Sequence, residues 1–208
     1  IDEETAYKLT QLGCTENMEA FGAGDITSLD MIMLDYPGPD DQCIKGQWRA
    51  FEEMKSAGLV KTLAVSNFTP KQLDVITSSK YRPTVNQLPL CVGYYDPGII
   101  AANARRKVHV QAWSPLGNGR LTRFARDAVY TREECERIGS RYGKSAYQVG
   151  LRFLTQIGAS FTVEARTPAH FRQDLSLFDF ALSEEEMGQL KALNKQPQFE
   201  GSVTGPNA

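Results

Sequence analysis

Histidine is scarce in this chain. Only His109 and His170 occur in 208 residues, which excludes a histidine-rich metal centre. Cysteine is sparse as well. Cys14, Cys43, Cys91 and Cys135 stand far apart with no C-x-x-C pair, so neither a zinc site nor a disulfide framework is expected and the thiols read as reduced. No apolar run approaches the ~20 residues of a membrane-crossing helix. Cations are not in excess either: the formal net charge is -2, and no basic field points to nucleic acid. What is present is the composition of a folded protein, 41% hydrophobic and 23% charged, with enough apolar surface for a sizeable core. A disordered chain would carry less of it and a larger net charge. The first residue is Ile1 rather than Met, so an upstream or removed segment is expected. No signal or transit peptide is visible, and the compartment stays open between cytoplasm and organelle interior.

Short apolar runs alternate with amphipathic stretches. Leu29-Asp30-Met31-Ile32-Met33-Leu34 is almost continuously apolar and stops at Asp35-Tyr36-Pro37-Gly38, as a strand buried on both faces of a parallel sheet would. Residues 47–57 place Trp48, Phe51 and Met54 or Lys55 at helical spacing and end at Gly58. Residues 62–65 read as a second strand, and Pro70 opens a helix through Ile76. The alternation recurs with strands at 83–87, 108–112 and 160–163. Helices are predicted at 97–106, 131–142 and 145–157, with two more opened by Pro168 and by Ser183. The last has Glu184, Glu185 and Glu186 in its first turn. Strand–helix repetition with short links predicts an α/β fold with about five parallel strands. Residues 1–12 read as a helix and 22–27 as a loop. The domain reading is therefore 1–28 as N-terminal helix and loop, 29–195 as the strand–helix body, and 196–208 as an irregular tail.

Several motifs then become specific. Leu29 to Pro37 is similar to a D-L-Y-L-I-H-W-P strand. Phe51 to Lys61 is similar to an L-x-x-L-x-x-x-G-K-[VI]-[RK] helix end. Val65-Ser66-Asn67-Phe68 matches G-[VI]-S-N-F, Val85-Asn86-Gln87 matches a V-N-Q strand, and Ala112-Trp113-Ser114-Pro115-Leu116-Gly117 matches A-Y-S-P-L-G. Leu177 to Met187 is similar to F-D-F-x-L-[ST]-x-E-x-M. In this order the motifs resemble the aldo-keto reductase family. The resemblance implies a (β/α)8 barrel that binds NADPH at the C-terminal ends of its strands. This chain is similar to strands four to eight only. The expectation is a partial barrel of about five parallel strands with flanking helices, N-terminally truncated and not closed by this chain alone.

In the family, a Tyr donates the proton to the developing alkoxide, a Lys lowers that Tyr's pKa, an Asp orients the Lys and a His polarises the carbonyl. The resemblance places the Asp, Tyr and Lys in the first three strands, outside this stretch. It places the His at Asp35. A carboxylate there cannot donate to a carbonyl and would repel an oxyanion. Ser66, Asn67 and Gln87 match residues that bond the nicotinamide carboxamide. Read without the family, they are polar strand ends that satisfy loop backbone. Trp113 stands where a Tyr stacks on the nicotinamide, followed by Ser114 and Leu116 of the same motif. The stretch that reads the adenosine 2′-phosphate corresponds to Glu164, Ala165, His170, Gln173 and Asp174, in place of a Lys, a hydroxyl and an Arg among others. Glu164 would repel a phosphate by ~1–4 kcal/mol at close range. Arg166 and Arg172 are the nearby cations. His109 lies in a strand and reads as a core or helix-facing residue, His170 as a surface residue in a first helical turn. Cys91 and Cys135 read as inert thiols.

The expectation that follows is a catalytically inactive, aldo-keto-reductase-like protein with no catalytic residue, no metal and no cofactor. It would serve as a structural or accessory subunit of a larger heteromeric assembly, with protein partners covering the open barrel edge, peripheral membrane complexes included and nucleic acid excluded. The alternative is an NADPH-dependent aldo-keto reductase seen as a fragment, or a nucleotide-binding sensor without turnover.

Overall fold

Helices in this protein begin where a side chain can satisfy the orphan N–H groups of a first turn. The computed structural model describes residues 1–117 and 128–194, the side chains of 128–130 excepted. Asp2 accepts from the Thr5 amide and opens α1, Glu3–Gly22. Asp40 accepts from the Cys43 amide and opens α2, Asp41–Ser56. Thr69 with Gln72, Ser145 with Gln148 and Ser183 with Glu186 form capping boxes. These start α3 (Pro70–Ile76), α6 (Ala146–Gln156) and α8 (Glu184–Ala192). Such caps contribute about 1 kcal/mol each. Thr167 caps α7 (Pro168–Leu175); α4 spans Pro97–Arg105 and α5 spans Ala128–Ser140. The strands are β1 (Leu29–Asp35), β2 (Val60–Ser66), β3 (Val85–Pro89), β4 (His109–Trp113) and β5 (Ser160–Phe161). They form one parallel sheet in the order β1-β2-β3-β4-β5, an α/β partial barrel that is not closed among the described residues.

The described residues divide into two compact units, Ile1–Gln87 with Ala102–His109, and Leu88–Ala101 with those from Val110 onward. In the first, β1 pairs with β2 from Leu29↔Val60 to Asp35↔Ser66, and β2 pairs with β3 from Ala64↔Val85 to Ser66↔Gln87. The apolar stripe of α2 (Ile44, Trp48, Phe51, Met54) meets Leu34, Leu63, Val65, Phe68, Leu73 and Ile76 in one buried cluster. Each such side chain contributes roughly 1.5–3 kcal/mol by leaving water. Trp48 is wholly enclosed and still satisfies its indole N–H, which donates to the Tyr81 carbonyl at 2.8 Å. Gly46 lets α1 approach α2: a Cβ there would collide with the Glu3 carbonyl oxygen. Buried Asn86 donates to the Phe68 carbonyl at 2.8 Å and accepts from the Phe68 amide at 3.3 Å, pinning the β2–α3 turn.

In the second unit, β4 and β5 pair at Gln111↔Ser160 and Ala112↔Phe161. Ile138 of α5, Val149, Leu151, Phe153 and Leu154 of α6, Leu177 and Leu190 are fully buried. Glu186 of α8 is also buried. It accepts from the Tyr142 hydroxyl at 2.6 Å and from the Ser183 amide at 2.9 Å.

Several expected boundaries change. The first helix runs on through Gly22, because Cys14 and Met18 continue its inward face beyond Gly13. The second helix starts at Asp41 rather than 47, because Asp40 caps it. β5 is shorter than expected, although Thr162 still donates to the Ala112 carbonyl at 2.9 Å. His109 is exposed at the first position of β4 and not in the core. The tail expected to be irregular, 196–208, lies outside the described residues. Among the described residues, no helix is long and apolar enough to cross a membrane.

Candidate functional site

The last residues of β1 and β2 and the middle of β3 carry a row of polar residues. Asp35, Ser66 and Gln87 are register partners across the three strands. Asn67 follows Ser66 with φ of 62°, in the left-handed region that Asn tolerates better than most residues. Its conformation is held from three sides. The Asn67 amide N–H donates to the Gln87 carbonyl at 2.9 Å. Its side-chain Nδ2 donates to Ser66 Oγ at 2.9 Å and to Asp35 Oδ1 at 3.2 Å. Tyr36, the residue after β1, also has a positive φ of 60°. Left-handed backbone at non-glycine residues costs of order 1 kcal/mol each and clusters at functional sites. Ser66 and Asn67 are buried, whereas Asp35 is exposed. Ser66 Oγ accepts from Asn67, which leaves its O–H as a donor. The set is neutral apart from Asp35, and a carboxamide, with one acceptor and one donor group, suits it.

In the second unit, Ser114 follows β4 with φ of 49°. It lies in a cleft of about 670 Å³, lined among others by Leu116, Tyr147, Glu164, Arg166, His170 and Asp174. That volume is in the range of small-molecule sites. Glu164 is not a bare charge. Arg166 grips it with two parallel bonds, Nε to Oε1 and Nη2 to Oε2, both 2.9 Å, and this pair holds the Glu164 carboxyl below the usual range. The Arg166 amide also donates to His170 Nδ1 at 3.3 Å. Burial pushes the Asp174 carboxyl up, opposed by His170. Of the residues expected at this end, Glu164, His170, Gln173 and Asp174 line the cleft together with Ser114 and Leu116. Ala165 is half-buried between Glu164 and Arg166, and Trp113 is the half-buried last residue of β4. Tyr147 and Thr162 line the cleft as well and were not anticipated; the Ser145 cap two residues before Tyr147 was the available signal.

The four thiols are buried. Burial pushes Cys91 and Cys135 up to about 12 and Cys14 up to about 11, which leaves them un-ionised and poor nucleophiles. Among the described residues, no cluster of three or more His, Cys, Asp or Glu is placed to hold a metal.

The profile of the "Aldo/keto reductase family" matches residues 24–195. The chain belongs to the aldo/keto reductase family. It is 35% identical over 169 residues to the D-galacturonate reductase of Fragaria ananassa, covering 79% of this chain and 52% of that protein. The chain spans about half the length of the curated relatives it matches. Its fold resembles that of MGS-M4, an aldo-keto reductase from a Medee basin deep-sea metagenome library (TM-score 0.81, 21% identity, 99% of this chain and 73% of that one). It also resembles a Bombyx mori aldo-keto reductase in complex with NADP (TM-score 0.77, 22% identity, 94% of this chain and 66% of that one).

These findings overturn the expectation of a catalytically inactive accessory subunit without a cofactor. The matched relatives of this aldo/keto reductase chain carry the names of reductases, and one structural neighbour holds NADP. The expectation leaned on Glu164 as an uncompensated acid, and the Arg166 fork removes that ground. It leaned also on Asp35, whose carboxylate in fact accepts a hydrogen bond from the adjoining Asn67. The nicotinamide end of a dinucleotide therefore fits the residues present. For the 2′-phosphate of NADPH, Ala165 offers no hydroxyl, and Arg166, the guanidinium lining the cleft among the described residues, is forked to Glu164.

Proposed function

We propose that this chain carries the dinucleotide-handling part of an aldo-keto reductase, an oxidoreductase that reduces aldehydes or ketones. The observation that carries this reading is the row Asp35–Ser66–Gln87 with Asn67 beside it, in register across the ends of β1 and β2 and the middle of β3; barrels of this type place their chemistry toward the C-terminal side of their strands. Bound there, a reduced nicotinamide supplies a hydride to a carbonyl carbon. Ser66 and Gln87 hold the carboxamide and so fix which face of the ring is presented. Asp35 is a positioning residue: its carboxylate accepts from Asn67 and keeps that amide aimed along the strand ends. It is not a proton donor. The resemblance assigns proton donation to a part of the relatives that this chain does not span. We propose too that β-structure from that part pairs along β1, where Met31 is exposed.

The test is carbonyl-dependent oxidation of reduced dinucleotide by the protein containing this chain, assayed against a panel of aldehydes and ketones. Oxidation that requires the carbonyl, with affinity for the dinucleotide reduced about tenfold by Ser66→Ala, the loss of one ~1.4 kcal/mol hydrogen bond, is the expected result. Absence of carbonyl-dependent oxidation contradicts the reading.

A further inference from the structure

Two helices of this chain leave apolar side chains in water, and the charges beside them are of opposite sign. α7 buries none of its eight residues. Phe171 and Leu175, one turn apart on it, are 57% and 80% exposed, and Phe178, just beyond its end, is 71% exposed. Cations accompany them. Arg172 is exposed and makes no ion pair among the described residues. Arg152 of α6 holds its guanidinium 5.6 Å from the centre of the Phe178 ring. Its Nε is buried with no hydrogen-bond partner, and it too forms no ion pair among the described residues. A half-desolvated guanidinium on an apolar surface is where an incoming carboxylate gains most. The nearby acids are engaged elsewhere: Asp179 accepts from Lys144 at 2.7 Å, and Asp174 lines the cleft with His170.

The inner side of α1 packs through Cys14 and Met18. Its outer side carries Leu9, Leu12, Glu16 and Glu19, which recur at helical spacing and form one stripe. Leu9 is 58% and Leu12 56% exposed. Glu16 and Glu19 are exposed and form no ion pair among the described residues. Lys8, the cation of this helix, pairs with Glu4 at 3.5 Å. Apolar contact with free carboxylates therefore stands on α1, and apolar contact with free guanidiniums on α7 and α6. Docking α1 on α1 would oppose acid to acid, and docking α7 on α7 would oppose cation to cation. Only the mixed pairing satisfies both faces.

We propose that the outer face of α1 in one copy of this chain docks on the α7 face of a second copy. Leu9 and Leu12 cover Phe171, Leu175 and Phe178, and Glu16 and Glu19 meet Arg152 and Arg172. Each copy carries both faces, so copies pair, close a ring or extend, according to how the faces align.

The experiment is sedimentation velocity of the full chain between about 1 and 100 μM, the range of a micromolar contact. The average mass is expected to rise with concentration from that of one chain to that of two or more. Two variants are then compared: Glu16→Lys with Glu19→Lys on α1, and Arg172→Glu with Leu175→Ser on α7. Each alone is expected to associate at least about tenfold more weakly than the unaltered chain. Their equimolar mixture is expected to regain a dimer and nothing larger, because one variant keeps the α7 face and the other keeps the α1 face. All four positions are exposed, and circular dichroism checks that the variants fold. If either fails, Glu16→Gln with Glu19→Gln and Arg172→Gln replace them, and each is expected to weaken association. A chain that stays monomeric throughout overturns the inference and leaves these faces to another part of the protein. Association that either variant leaves unchanged, or a mixture that stays monomeric, overturns it as well.

Discussion

Asn67 Nδ2 donates to Asp35 Oδ1 across 3.2 Å, joining the turn after β2 to the end of β1. The two residues lie far apart in sequence, and the bond forms because Asp35 and Ser66 are register partners. It places a carboxylate where it braces a strained turn, and it ties the geometry of one strand end to that of the next.

The strain at Asn67 is measurable. Replacing it removes its side-chain bonds in either case, but Asn67→Ala also forces a Cβ into the left-handed region at φ of 62°, which Asn67→Gly does not. Asn67→Ala should therefore be less stable than Asn67→Gly by about 1 kcal/mol. Urea denaturation midpoints of the two variants check this. Equal midpoints would mean that the turn relaxes freely.

Gly46 sets the distance between α1 and α2. A Cβ there meets the Glu3 carbonyl and lies 2.9 Å from the Tyr7 amide nitrogen. Backbone cannot yield as a flexible side chain does, so Gly46→Ala should cost about 1–3 kcal/mol. It should also loosen the Tyr7 to Glu53 hydrogen bond, now 2.7 Å. Amide hydrogen exchange in α1 should rise in this variant while exchange in α6 stays as it was.

Glu186 makes the fold acid-sensitive. Burial opposes its ionisation, but bonds from Tyr142 and Ser183 and the nearby Arg141 outweigh it, and the carboxyl sits below its ordinary value of 4.5. A lowered folded-state pKa contributes stability above the unfolded value, and that contribution is lost as pH falls through the folded value. Stability should thus hold at neutral pH and decline below about pH 4.5. Glu186→Gln should be less stable at neutral pH by about 1–3 kcal/mol and should show a shallower acid decline. Denaturation midpoints measured across pH for both proteins check the sign; parallel curves would contradict it.

The alternation of strands and helices was legible because buried parallel strands are written as local apolar runs, as in Leu29 to Leu34, and because caps such as Ser183 with Glu186 lie within four residues. The length of α1 was not. Gly13 reads as a stop, but its cost of about 1 kcal/mol is offset by burying Cys14 and packing Met18, which only the tertiary structure reveals. At the site, the V-S-N-F motif marked the end of β2, whereas the V-N-Q motif, expected to close its strand at Gln87, lies within β3, which runs on to Pro89. Their partners were hidden, since Asn67 to Asp35 is a contact between strands. The Glu164 to Arg166 fork was hidden for another reason: an i,i+2 pair outside any helix leaves no periodic trace. Read one residue at a time, Glu164 is a repelling acid. Read with its neighbour, it is half of a balanced pair.

The central claim is that this chain holds a nicotinamide dinucleotide, and its most direct test uses the two tryptophans. Trp48 is enclosed in the core, whereas Trp113 ends β4 immediately before Ser114 of the cleft. Titration of the full chain with reduced dinucleotide should quench tryptophan emission saturably, and Trp113→Phe should abolish the quench while leaving calorimetric binding detectable. No saturable quench and no heat up to about 1 mM ligand, where binding would be worth only ~4 kcal/mol, would contradict the account.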